Sequence, residues 1–442
     1  MNDTKTNEIH EVDLLPDVHK EVVNMYNHMK VKHPDRLWMA QLQMDHWNDI
    51  CTAHERGKKL ILTSTNTPAE LIYAFDAVPF VPETLIMRYA NSDKTFKYLD
   101  LADQYVSHQL CSINRGQIGY YLSGDLKMKP DAVLSTVTPC DSSRVAYTAA
   151  SKILGVPSFC LDTPYRQDER GYRYIGEQIK EACKFLEEVT GNKLDWDRFR
   201  EILERGNEAA RLLTACSKLR QITPCPLPGS LLVLNEMVGG MMGSQGAVDF
   251  LQAEYDYGVR NVKAGRGVTP GKEQFRVIWL QNMLWNNAGI VGWMEKAFNA
   301  VLVMDGFGYE GYQVIDTSSE DSIFLGLGQR TLNSPMVHGA SGPAEPWIKM
   351  VDRMIGEYKV NVAMFAGHVG CKHTWAASKL VKDYIYEKYG LPTLTFDEDG
   401  IDYGIYGDLD RKSEEAGMIV WEREKQLPSP AKAAPGNPSS PR

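Results

Sequence analysis

The chain has 442 residues, 43% of them hydrophobic and 24% charged, and its 48 Lys and Arg against 57 Asp and Glu leave a net charge of −9. That length exceeds one ordinary core and predicts two or three domains, and the balanced composition excludes wholesale disorder. The acidic balance argues against nucleic acid or an anionic membrane as partner, no apolar run approaches the roughly 18 residues of a membrane span, and the polar start MNDTKTNEIHEVDLLPDVHKE lacks the pattern of a secretory leader; a cytoplasmic protein is expected.

Residues 15–57 carry apolar positions at helical spacing, broken near Pro34, and predict a helical region over 1–57. KLILTST (59–65) is a short apolar run after Gly57 and predicts a strand. TPAELIYAFDA predicts a helix, with Thr67 as its N-cap, Pro68 in its first turn and Glu70 completing a capping box. Two later segments resemble each other. AVLSTVTPCDSSRVAYTAASKILGVPSFCLDTP, from Ala132, and VAMFAGHVGCKHTWAASKLVKDYIYEKYGLPTLTFDED, from Val362, each read as strand, short loop with a cysteine, helix, Gly, Pro and strand, with an Asp five residues beyond the Pro (Asp162, Asp397). Strand–helix–strand units of this kind build parallel sheets with right-handed crossovers. The stretch between them is mostly helical: GEQIKEACKFLEEVTG, LDWDRFREILERGNEAARLLTACSKLRQ and GAVDFLQAEYDYGVRNVKAG are amphipathic. A strand restarts near Phe275, and GIVGWMEKAFNAVLVMDG reads as helix into strand. The expected plan is a helical region (1–57), a first α/β domain (58–165), a helical connector (166–270), a second α/β domain (271–424) and a Pro- and Ser-rich disordered tail (425–442).

There are eight cysteines, at 51, 111, 140, 160, 183, 216, 225 and 371, and no CxxC pair. A cytoplasmic setting argues against disulfides, and the spacing gives no support to a zinc ribbon or a thioredoxin-type motif. Cys160 in a strand, and Cys183 and Cys216 on helices, read as packed thiols. Cys140 and Cys371 read differently, because each falls at a strand-to-helix turn, on the side of a parallel sheet where ligands bind. A helix N-terminus there stabilises a thiolate or an anionic group, and Gly367 and Gly370 let the backbone approach a bulky group closely. Cys111, after the helical YLDLADQYVSHQL, is placed to face the same crevice. Thiolates without paired histidines favour zinc or an iron–sulfur cluster.

Several stretches in this order are similar to the 2-hydroxyacyl-CoA dehydratase family, which includes the core subunits of benzoyl-CoA reductase: TPAELIYAFDAVPFVPET, CSINRGQIGYYL, STVTPCDSSRVAY, and MFAGHVGCKHTWAASKL followed by GLPTLTFDEDGID. The resemblance, to the larger alpha-type subunit, spans about residues 55 to 425. It implies an α/β fold of two Rossmann-like (flavodoxin-like) parallel-sheet domains with helical N-terminal and connecting parts. It also implies one [4Fe-4S] cluster per chain, held by Cys111, Cys140 and Cys371 with one iron left open. By motif position it implies catalytic roles for Ser64 and Glu83, with Thr63 and Thr65 competing with Ser64 under a one-residue shift. The implied activity is a hydro-lyase reaction on an (R)-2-hydroxyacyl-CoA by a ketyl-radical route. The implied partners are a related second subunit in a heterodimer, an ATP-dependent iron–sulfur activator and an acyl-CoA substrate. An aryl-CoA reductase subunit and a cluster-bearing partner that never touches substrate remain open alternatives. No GxxxxGK[ST] loop is present, as expected if the ATPase is a separate protein.

Four further groups have two readings each. His368 and His373 flank Cys371, as donors to the cluster or substrate or as helix-start residues facing solvent. Arg115 and Arg144 balance cluster or phosphate charge, or pair at the surface. LNEMVGGMMGSQG lines an acyl pocket or packs the core. The Gly-rich SIFLGLGQRTLNSPMVHGASGP lacks cysteine, which argues against a double-cubane cluster, and reads as a loop over the site.

Overall fold

The computed structural model describes residues 16–402 except 91, 282, 284–288, 310–312, 335, 338–341 and 369. The tail expected from residue 425 lies outside them. The described residues belong to one compact unit, Met1–Tyr406.

Two four-stranded sheets organise this unit, and every pairing in them is parallel. The first is built from β1 (Leu60–Thr63), β2 (Val78–Phe80), β3 (Ala132–Thr136) and β4 (Ser158–Leu161), in the order β2-β1-β3-β4. The second uses β5 (Phe275–Trp279), β6 (Ala300–Asp305), β7 (Val362–His368) and β8 (Thr393–Glu398), in the order β6-β5-β7-β8. Both therefore wind second, first, third, fourth, the doubly wound pattern. The repeated segments occupy matching places: β3, helix Asp141–Leu154 and β4 in one sheet, and β7, helix Lys372–Tyr389 and β8 in the other.

Residues of β1, β3, β6 and β7 are buried throughout, because helices cover both faces of each sheet and no polar alternation is needed. On β1 the pleat divides two cores. Leu60 and Leu62 pack with Val18, Val22, Trp47 and Ile50 of the N-terminal helices Pro16–Lys32 and Leu37–Cys51. Ile61 faces the opposite way, onto Leu71, Phe75, Ile175 and Ile179. The connector helices Glu169–Thr190 and Trp196–Arg220 close that second face, capped by Asp168 and Asp195, whose carboxylates accept from first-turn N–H groups.

Three expectations change here. The helix after β1 is Ala69–Ala74 with Pro68, not Thr67, as its N-cap, and no side chain caps it. Glu70 is not a capping-box residue. It is buried and pairs with the guanidinium of Arg330, which also donates to Gln313 O at 2.7 Å and Asn207 Oδ1 at 3.2 Å. A buried guanidinium outcompetes a local cap for the carboxylate, and a Cβ on Gly206 would collide with Glu70 Oε1 at 2.6 Å. Of the Gly-rich stretch expected as a loop (322–343), the part up to Leu332 is helical, in Glu320–Leu332, started by a Ser319–Ser322 capping box, and the rest lies only partly within the described residues. A Cβ on its Gly328 would collide with the Tyr172 carbonyl, so glycine here serves close helix packing rather than a turn. Cys160, expected as a packed thiol, is exposed on the edge strand β4, whereas Cys183 and Cys216 are buried.

The Glu70–Arg330 pair ties the start of the first sheet to helices 196–220 and 320–332. Glu70→Ala leaves a buried guanidinium without its counter-charge. The expected loss is about 3–5 kcal/mol, read as a lowered midpoint in chemical denaturation, with a smaller loss for Glu70→Gln.

Candidate functional site

In each sheet the strand order reverses beside the first strand, between β1 and β3 and between β5 and β7, and that is where a doubly wound sheet opens a crevice beyond its carboxyl ends. The residues just past these strands line a cavity of about 130 Å³: Thr65 and Asn66 after β1, Cys140 after β3, His368 and Cys371 at β7. Cys111 joins them from the first turn of helix Ser112–Ser123.

All three cysteines hold one local position. Cys111, Cys140 and Cys371 are the N-cap residues of helices Ser112–Ser123, Asp141–Leu154 and Lys372–Tyr389. Three helix N-termini thus meet at one cavity, each with the positive end of its dipole beside a cysteine. The N–H groups of Ser142 and Ser143 favour the Cys140 thiolate and that of Asn114 favours Cys111. Burial outweighs them. It pushes the Cys140 thiol up to about 12, with the neighbouring Cys371 sulfur adding repulsion, and the Cys111 thiol well above the ordinary thiol range. Without a cation between them these groups rest as thiols.

Side chains supply further donors. The His368 ring is buried, its Nδ1 accepts from Gly400 N at 2.9 Å, and its Nε2 lies 3.0 Å from Cys111 Sγ. Nδ1 as acceptor fixes the neutral tautomer, so Nε2–H donates to the sulfur; burial keeps the ring below its ordinary pKa and hence neutral. The Thr374 hydroxyl is 3.0 Å from Cys371 Sγ and receives the amide N–H of Gln281 at 2.5 Å. Gln281, just past β5, also accepts from His368 N at 3.3 Å, which bridges the reversal point of the second sheet. The two glycines do not make room for a bulky ligand. A Cβ on Gly370 would stand 2.6 Å from Cys111 Cα, and one on Gly367 would enter the Trp375 ring. They let the protein's own parts meet, and so set where Cys111 and Cys371 lie.

Glu83 reaches the cavity from the short helix Pro82–Arg88, not from an exposed turn. Tyr147, on the helix that Cys140 starts, places its hydroxyl 2.7 Å from Thr63 O and 2.5 Å from Glu83 Oε2. A phenol has one proton, and a carbonyl can only accept. With Tyr147 donating to Thr63, the second bond needs the proton of Glu83. Burial agrees, raising the Glu83 carboxyl to about 7.

Of the residues expected from the sequence, Glu83, Cys111, Cys140 and Cys371 line the cavity together. Ser64 is buried behind it, its hydroxyl 2.9 Å from Thr67 Oγ1, while its neighbour Thr65 lines it. Arg115 is buried against Asp103 at 2.5 Å, and Arg144 pairs at the surface with Asp141. The Met-rich stretch divides: Asn235, Glu236 and Met237 line the cavity, and Met241 and Met242 pack in the core. Sequence reasoning missed Gln281, Thr374 and Tyr147. Thr374, three residues into the helix behind Cys371, carries the clearest local signal.

The architecture, two doubly wound sheets whose crevices share one cavity lined by three cysteines, defines an α/β protein. The sequence matches the family described as "2-hydroxyglutaryl-CoA dehydratase, D-component" over residues 64–410, and the chain belongs to it. It is similar to the (R)-phenyllactyl-CoA dehydratase alpha subunit of Clostridium sporogenes, 26% identical over 268 residues, covering 58% of this chain and 64% of that one. It is also similar to the (R)-2-hydroxyisocaproyl-CoA dehydratase alpha subunit of Clostridioides difficile (23% over 261 residues; 57% and 64%) and to a benzoyl-CoA reductase subunit of Thauera aromatica (23% over 274 residues; 56% and 62%). The chain spans less than two thirds of the length of these curated relatives. Among the described residues no helix is long and apolar enough to cross a membrane.

The single-proton arrangement at Glu83 has a direct readout. The infrared difference between the chain and Glu83→Gln is expected to show a protonated-carboxyl band that persists at pH 6 and disappears around pH 7. Loss of that band already near pH 4–5 would contradict the assignment.

Proposed function

We propose that this chain is the iron–sulfur subunit of an (R)-2-hydroxyacyl-CoA dehydratase, with Cys111, Cys140 and Cys371 holding one [4Fe-4S] cluster beside Glu83. The observation that carries the reading is the meeting of three N-cap cysteines with a raised-pKa carboxyl in one cavity. The residues fit such a group. Three sulfurs, one buried and two half-buried, each with a hydrogen-bond donor or helix dipole behind it, suit a compensating cation. Among the described residues no three of His, Cys, Asp or Glu converge tightly enough to hold a single ion. Tetrahedral zinc would draw its sulfurs to about 3.8 Å apart, whereas in a cluster each cysteine ligates its own iron.

When bound, such a cluster supplies a Lewis-acidic open iron and a low-potential electron. The chain's own residues supply the rest. His368 Nε2–H and the Thr374 hydroxyl hold the Cys111 and Cys371 sulfurs in place. Met87, Leu213, Met237 and Met336 give the cavity apolar walls that keep water from the reacting thioester. Dehydration removes a proton from the acyl chain and delivers one to the departing hydroxyl. Glu83, protonated at rest with Oε2 against Tyr147, is placed to give its proton to the departing hydroxyl and then to take one from the acyl chain. In this reading a related second subunit completes the enzyme, and a separate ATP-driven activator supplies the electron. The similarity to a benzoyl-CoA reductase subunit supports a second reading, electron delivery to an aryl-CoA. The product decides: an enoyl-CoA from a hydroxyacyl-CoA, or a ring-reduced acyl-CoA.

Two measurements test the assignment. Anaerobically purified protein is expected to be brown, with about four irons and four sulfides per chain. Cys111→Ser, Cys140→Ser and Cys371→Ser should each lose most of them, and a colourless, iron-free parent chain overturns the reading. Glu83→Gln is expected to keep the iron and lose dehydration by roughly 10²–10⁴-fold. Full activity in that variant, with iron intact, would leave the chain a cluster-bearing partner of a catalytic subunit.

A further inference from the structure

The far wall of the cavity carries polar groups that the cluster chemistry does not use. Helix Ser230–Gly239 places Asn235 and Glu236 in the lining, and β6 ends at Asp305, two residues before Phe307 and Gly308, which line the same wall. Asn235 Oδ1, Glu236 Oε1 and Asp305 Oδ2 are buried and have no hydrogen-bond partner among the described residues. Asn235 itself is 7% exposed. Asp305 Oδ1 already accepts from Phe307 N and Gly308 N at 2.8 and 2.5 Å.

The unpartnered atoms on this wall are all oxygens, and the Glu236 carboxyl, which keeps its proton in the absence of a cation, becomes an acceptor when one arrives. Leaving such atoms buried and unpaired costs about 1–3 kcal/mol each, so a native ligand is expected to meet them with donors. No Lys or Arg lines the cavity among the described residues, and the one lining histidine, His368, is engaged by Cys111 and Gly400. β6 stands two strands from β7 in the sheet, about 10 Å at the usual strand spacing. The wall thus lies away from the cysteines, where the end of an acyl chain would reach and not its thioester.

We infer that the acyl group taken by this cavity ends in a hydrogen-bond donor, best an ammonium, and that a terminal carboxylate is rejected. This rests on the acyl-CoA reading above and specifies its substrate class. An apolar tail would leave all three acceptors unpaired. A carboxylate would be a third acid on a wall without a cation. An ammonium donates to all three and supplies the missing positive charge. The present state of Glu236 agrees: burial, with repulsion from Asp305, holds its carboxyl well above the ordinary carboxylate range, as expected where the counter-charge comes with the ligand.

The test is calorimetric binding to the full chain, purified anaerobically with the subunit that co-purifies with it. The probes are hexanoyl-CoA and its ω-hydroxy, ω-amino and ω-carboxy analogues. The ω-amino ester is expected to bind at least tenfold tighter than hexanoyl-CoA, with the ω-hydroxy ester between them and the ω-carboxy ester weakest. Glu236→Gln, which keeps an acceptor and removes the charge, should abolish most of the ω-amino advantage and leave the ω-hydroxy advantage. Equal binding of all four esters, or tighter binding of the ω-carboxy ester, overturns this inference and leaves the acyl-CoA reading standing. Failure of every ester to bind overturns both. An undiminished ω-amino preference in a folded Glu236→Gln protein also overturns it.

Discussion

The structure turns on placing three sulfurs at three helix N-termini around one buried cavity. Each helix brings the positive end of its dipole to its own N-cap cysteine, and at Cys111 and Cys140 burial opposes the charge that end favours. Neither tendency alone makes a cofactor site. Dipoles at an exposed turn give a reactive thiol, and burial alone gives an inert one. Together, at Cys111 and Cys140, they favour thiols whose thiolates, once a cation is beside them, have donors already in place.

The rest of the fold fixes those three positions relative to one another. Two sheets of the same winding put Cys140 and Cys371 at equivalent turns, each beside its own reversal point. Gln281 binds across the second reversal point to the His368 backbone and to Thr374. Gly370 lets the turn carrying Cys371 press against the Cys111 backbone. Beyond β8, Asp399 accepts from the Ser112 hydroxyl at the start of the Cys111 helix and from the N–H groups of Ile401 and Asp402. The third cysteine, which belongs to no repeated unit, is thus fastened directly to the second sheet.

Much of this was legible in the sequence because parallel strands covered on both faces leave plain apolar runs, and because the segments from Ala132 and Val362 repeat one another. The cysteines at 140 and 371 followed from that repeat. What could not be read locally depends on distant partners. Glu70 has the spacing of a capping residue and yet pairs with Arg330, 260 positions away. The glycines of 320–332 have the composition of a loop, and only the packed helix 169–190 shows why they are helical. Cys111 looked like a residue at the end of one helix, where the structure makes it the start of the next. Ser64 and Thr65 differ only in which one the end of β1 turns toward the cavity, a matter of backbone direction that sequence spacing does not resolve.

Charge also imposes an order on assembly of the site. The cavity gathers three thiols, Glu83 and Glu236, with Asp305 close behind, and no Lys or Arg lines it among the described residues. With all of them ionised and unpaired, repulsion in so little water would exceed what three dipole ends offset. Before any cation binds, Cys111, Cys140, Glu83 and Glu236 therefore keep their protons. A cationic iron–sulfur core, if held as proposed, would displace the thiol protons without touching the proton between Glu83 and Tyr147, whose hydroxyl also reaches Thr63 O. Cofactor binding and the carboxyl's proton are thereby kept apart. A site with that separation can be fully loaded while its acid remains protonated near neutral pH, the state from which a proton can be passed to a departing hydroxyl.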